Sequence, residues 1–272
     1  MQPIPTVDVN TWEEFEEKLI ELGEQTNSER SDALPMLFRG QENSDWGLTT
    51  TLERRNQHRT PFADYFRRIS RMRTEIESFS GKEWMIPEYP EVLRLSKEFD
   101  EFSLKQTSGR LPAYDYMAYL RHHSFPSPLL DWSRSLRVAA YFAFSGAIGI
   151  DRIKDQKVSI YTFLTDRFTG GSSDKPLVLR LGPYVRTHRR HFLQRCEYTM
   201  CVRFENEWRF ATYQEVFDCP TLHQGKFRKF NIPATEGPKV LRLLDEYNLN
   251  ASSLFGSEEG LMKTLSFREF GF

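Results

Sequence analysis

The stretch from His122 to Ser133 constrains this chain more than any other. Two imidazoles (His122, His123), a carboxylate (Asp131), an indole (Trp132) and a hydroxyl (Ser133) flank a short apolar strand, and the chain then enters a helix, Leu136 to Phe144, too apolar to face water. A fold that buries this helix must carry those polar groups into or beside its core. Each then needs a hydrogen-bonding or ionic partner to offset the loss of water.

The chain can supply such a core. It has 272 residues, 39% apolar and 14% aromatic, enough for one large domain or two small ones. Its 37 basic and 38 acidic residues leave a net charge of -1, so no global field draws it to nucleic acid or membrane. There is no run of about 18 apolar residues and no leader of the secretory type, which gives the expectation of a cytoplasmic protein with no membrane partner. Cys196, Cys201 and Cys219 are odd in number and lack a metal-type repeat, so buried reduced thiols and no metal are expected.

Trp12, Phe15, Leu19 and Leu22 recur at helical spacing after Asn10-Thr11, with Gly23 closing the helix and a polar turn from 24 to 34. Met36 to Gln41 is a short strand. Residues 62 to 80, rich in arginine, carry Phe62, Tyr65, Phe66, Ile69, Met72 and Ile76 on one helical face, and Val92 to Leu104 resumes a charged helix. Strands are expected at 158–164, 177–181, 197–204 and 208–212, where β-branched and aromatic residues concentrate. Helices follow at 239–247, led by Pro238, and from Ser252. The fold class is α+β, with residues 1–32 an N-terminal helix and linker packed on a domain of residues 33–272.

Arg39 closes an apolar strand before Gly40, a position from which a planar guanidinium can fork onto phosphate or carboxylate oxygens while the backbone allows close approach. Asp131, between Leu130 and Trp132, needs a partner. His122 and His123 are in reach, or the carboxylate caps the following turn with help from Ser133. Glu197 and Glu207 each open an apolar strand, and Glu205 and Glu207 share one side of an extended chain. Either is a solvated hairpin charge or an acid beside a cleft. His188 and His191 stand three apart, but nothing downstream completes a metal set, so they are read as part of a surface helix. No phosphate loop, dinucleotide fingerprint, nucleophile elbow or zincin motif is present.

Several of these pieces recur together in order. They are Leu37-Phe38-Arg39-Gly40-Gln41, then His123 with Pro126-Ser127-Pro128-Leu129-Leu130-Asp131-Trp132-Ser133, then Ala139-Ala140-Tyr141-Phe142-Ala143, then Gln194 with Tyr198-Thr199, and lastly Leu254-Phe255-Gly256 with Gly260-Leu261. The set resembles the FRG domain family over roughly residues 33 to 264. More loosely, an arginine ending an early strand, a serine leading into an aromatic helix and a late glutamate are similar to the Arg-Ser-Glu arrangement of ADP-ribosyltransferases.

That second resemblance implies a split β-sheet core with N-terminal and inserted helices, and NAD as co-substrate. It implies that Arg39 grips the NAD phosphates, with Gly40, Gln41, His123, Asp131, Trp132 and Ser133 around the cofactor. Glu197 or Glu207 would support the ribosyl cation as nicotinamide leaves. It implies a bacterial toxin of a toxin-antitoxin or phage-defence system. Its acceptor would be a macromolecule, RNA ahead of protein given Arg67, Arg68, Arg71, Arg73, Arg186, Arg189 and Arg190, and an antitoxin protein would be a further partner. The rival readings are a non-catalytic nucleotide- or partner-binding module and an NAD glycohydrolase.

Overall fold

In a computed structural model, the described residues are 4–29, 35–57, 59–98, 111–147, 155–164, 175–219 and 227–271. In chain order the elements are β1 (Thr6–Asp8), α1 (Trp12–Glu29), β2 (Leu37–Gln41), α2 (Phe62–Arg71), α3 (Arg73–Ser80), α4 (Tyr89–Glu98), α5 (Tyr114–His122), β3 (Leu130–Ser133), α6 (Leu136–Phe144), β4 (Lys157–Phe163), β5 (Leu177–Gly182), α7 (Arg189–Leu193), β6 (Cys196–Phe204), β7 (Trp208–Phe210), α8 (Tyr213–Phe217), β8 (Phe227–Pro233), α9 (Gly237–Glu246), α10 (Ala251–Phe255) and α11 (Glu258–Phe270).

The eight strands form one sheet in the order β1-β8-β4-β2-β3-β6-β5, with β7 also on β6. All pairs are antiparallel except β1 with β8. An α+β architecture follows. The sheet is nearly parted at its middle: β2 joins β4 through five residue pairs and β3 joins β6 through four, but β2 and β3 share only Phe38 with Ser133.

Alternation along the strands sorts side chains into three cores. Val158 and Ile160 pack with Phe230 and Ile232 under α1, α6 and α9, where Trp12, Phe15, Phe144 and Val240 meet them. Leu179, Tyr198 and Met200, on the far half of the sheet, are covered by the helices α2 to α5 through Phe66, Ile69, Tyr116 and Met117. The third core, on the other side, stacks Phe163 on Phe227 beside Trp132 and Tyr213.

Several expectations are corrected. Helix α1 runs through Gly23 to Glu29, because a glycine costs a helix about 1 kcal/mol but does not end it when capable helix formers follow. The arginine-rich segment is two helices that break at Met72. The Val92 helix begins at Tyr89, and its expected end at Leu104 lies outside the described residues, as do residues 30–34 of the expected linker. Strands β1 and β8 and helices α5, α8 and α11 add to the elements expected.

Helix α6 lies against β2. A Cβ on Gly40 would fall 2.6 Å from the Ala143 nitrogen and well inside contact distance of the Ala139 carbonyl oxygen. Both are backbone atoms that no rotamer change moves aside. Gly40→Ala is therefore expected to cost about 2–3 kcal/mol in urea unfolding, as overpacked cores do. A loss below about 0.5 kcal/mol would mean that α6 retreats from the strand freely.

Candidate functional site

The parting between β2 and β3 opens a shallow cleft of about 180 Å³. Phe38, Arg39, Gly40, Gln41 and Glu42 line it from β2 and the turn beyond. Asp131, Trp132 and Ser133 line it from β3, Val138, Ala139 and Phe142 from α6, Gln194 from the end of α7 and Cys196 from the start of β6. Trp46 and Arg54 complete the rim.

Arg39 bridges the gap that the missing strand pairs leave. Its Nη1 donates to the Asp131 carbonyl at 2.7 Å and lies 3.1 Å from the Asp131 carboxylate. Arg121, from α5, holds the other carboxylate oxygen at 2.6 Å. Burial alone would favour a neutral Asp131, but the Arg121 and Arg39 guanidiniums outweigh it and hold the carboxyl well below the usual range. The partners are therefore arginines, not histidines, and Asp131 does not cap the next turn. Ser133 accepts from the Ser135 amide, and Ser135 is the residue that caps α6.

The structure divides the other expected site residues. Gly40, Gln41, Trp132 and Ser133 line the Arg39 cleft. Within it, Gln41 donates to the Gly47 carbonyl and Ser133 to the Gln194 carbonyl. The Trp132 indole N–H donates to Thr199 at 2.7 Å, and its ring packs against Phe163 and Phe227, so it serves the core. Tyr141 is also buried in a core. His123 does not line the cleft and packs its ring against Tyr119 and His188.

Neither glutamate joins the cleft. Cys196 faces it, so Glu197, one residue on, faces the opposite side of the sheet. There Glu197 is buried in an ion pair with Arg180, whose Nη2 donates to it at 3.1 Å. Glu207 lies past the far end of β6, roughly 30 Å of extended strand from Cys196, and pairs with Arg209 at 3.0 Å. Glu42 is the acid that the sequence reading passed over. It follows the Phe38-Arg39-Gly40-Gln41 run directly, and no cation is within ion-pair distance of it among the described residues.

The cleft lining sets two guanidiniums, Arg39 and Arg54, against two carboxylates, Asp131 and Glu42, and Arg121 behind it shares Asp131 with Arg39, which leaves one net positive charge on the cluster. Trp46, 48% exposed at the rim, is a flat apolar surface. The more distant arginines are largely spent: Arg67 pairs with Asp64, Arg73 with Glu77, Arg68 donates to Gln57, and Arg190 lies over the Phe255 ring.

Beside Arg54, Glu53 lines a separate cavity under Tyr161 and Tyr213. Burial pushes its carboxyl up to about 7, against lowering hydrogen bonds from Thr50. A raised folded-state value means that the protonated form stabilises the fold fully below the unfolded value of 4.5, and that this stability is lost as pH rises through 7. Glu53→Gln is expected to melt with the parent at pH 4 and to gain roughly 2–3 kcal/mol at pH 8. Equal melting at both pH values would show that Glu53 ionises without penalty.

Residues 35–149 match the family model of the FRG domain. No curated protein and no solved structure matches the chain. The matched region carries every cleft residue named above except Gln194 and Cys196, which the end of α7 and the start of β6 bring in from beyond it.

Proposed function

From the premise that residues 35–149 are an FRG domain, we propose that the cleft between β2 and β3 binds a nucleotide, NAD being the expected ligand. One observation carries this: an exposed aromatic surface and two arginines, Arg39 and Arg54, share a single hollow. Trp46 offers its indole for a base to stack on, a contact worth about 1–3 kcal/mol. Arg54 has no carboxylate within ion-pair distance among the described residues, and it receives the phosphates together with Arg39. Glu42 accepts from ribose hydroxyls. No helix among the described residues is long and apolar enough to cross a membrane.

A second reading, ADP-ribosyl transfer from NAD, is favoured by Glu42, which lines the same cleft as Arg39 and Ser133 and whose carboxylate lies against Gly146 at the neighbouring cavity. Cleavage of the nicotinamide-ribose bond needs a carboxylate beside the developing positive charge. Glu42 is suited to that part, and Glu197 and Glu207, each held by an arginine on another surface, are not. In this reading the parted sheet is the split core of a transferase, the acceptor is a macromolecule such as RNA, and a toxin with its antitoxin is the setting. All of these rest on the resemblance.

Calorimetric titration of the full chain with NAD, ADP-ribose and ATP tests the binding claim. Trp46→Ala and Arg54→Ala, both at the exposed rim, are each expected to weaken NAD about tenfold, or about 1.4 kcal/mol. A folded protein that binds none of the three overturns the proposal. Nicotinamide release that Glu42→Gln abolishes supports transfer, whereas binding without release leaves a non-catalytic module.

A further inference from the structure

Beneath the cleft, on the side away from Trp46, three ligand-bearing side chains converge. We propose that His122, His191 and Cys196 form a zinc site. They come from the end of α5, from α7 and from the start of β6, and one ligand atom of each lies within 4.8 Å of the others. The expected surface helix is thus corrected: His191 is buried, and the residue that completes the set lies five positions downstream of it.

The histidines are prepared as ligands. Nε2 of His191 lies 3.0 Å from the Pro183 carbonyl, which only accepts, so this nitrogen carries the proton and Nδ1 keeps its lone pair. A carbonyl that fixes the outer nitrogen is the usual second support of a metal-bound histidine.

Both inner nitrogens address one point, now taken by the Tyr198 hydroxyl, at 2.8 Å from His122 Nε2 and 3.2 Å from His191 Nδ1. The phenol has one proton and can donate to one of them. A zinc ion seated there would draw the three ligand atoms to roughly 3.3–3.8 Å apart, given bonds of about 2.0–2.3 Å, a closure of about 1 Å within reach of side-chain rotation.

Cys196 decides the metal class. Thiolate with imidazole selects zinc over magnesium or calcium. Each zinc bound releases one proton to solvent as the Sγ–H bond is exchanged for Sγ–Zn. Arg121 and Arg39 share the one Asp131 carboxylate nearby. Three protein ligands leave a fourth position open, and Cys196 also lines the cleft, so the ion would border whatever the cleft holds.

The test is metal titration of tag-free full-length protein after chelation and dialysis. Cobalt(II) is expected to bind one equivalent, with a thiolate charge-transfer band and the visible bands of a tetrahedral ion, and zinc to displace it. Cys196→Ser should abolish the charge-transfer band and weaken zinc at least tenfold. Tyr198→Phe, which keeps all three ligands and the core volume, should bind zinc undiminished and separates ligand loss from misfolding. Cobalt spectra without the thiolate band, or zinc affinity unchanged in Cys196→Ser, would overturn the assignment, as would folded protein that takes up no stoichiometric zinc.

Discussion

Two arginines from distant parts of the chain hold one carboxylate, and the centre of the molecule depends on that contact. Asp131 sits where the sheet stops pairing, and Arg39 replaces the missing ladder with a bond to its carbonyl and an ion pair to its side chain. Arg121 ties the same carboxylate to the helical layer. Removing one partner of such a cluster costs more than the cluster contributes, because the remaining charges lose both water and counterion. The cleft is therefore defined by a charge cluster wedged between strands, with apolar cores on either side of it.

Those cores set how closely the parts approach. Helix α6 can sit on β2 only because Gly40 has no side chain, and its alanines, Ala139 and Ala143, keep the backbones near. The same approach fixes Arg39, the residue before Gly40, at the floor of the hollow. Packing and binding are coupled here through one peptide unit.

Local periodicity made the short elements legible. Strands β2, β4, β5 and β6 and helix α6 fall within a residue or two of where their apolar pattern puts them, and Arg39 and Gly40 were recognisable from their place at a strand end. What was not legible is pairing across the chain. Nothing around residue 131 reveals that Arg121 rather than His122 will face it, since one helical step rotates the side chain by about 100°. Glu197 looked like a cleft acid until strand alternation turned it toward Arg180. His191 reads as part of a surface helix, and the rings and thiol around it come from two other elements, α5 and β6. Glu42 gave one signal, its adjacency to the glycine motif.

The single Phe38–Ser133 pair has a mechanical corollary. Each half of the sheet is laced by several rungs, while the seam between them has one, so shear or splaying is easiest along that line. A molecule lodged there touches both halves and works as a rivet. Occupancy would then be felt in the stiffness of the whole sheet, well beyond the few side chains in contact with the guest.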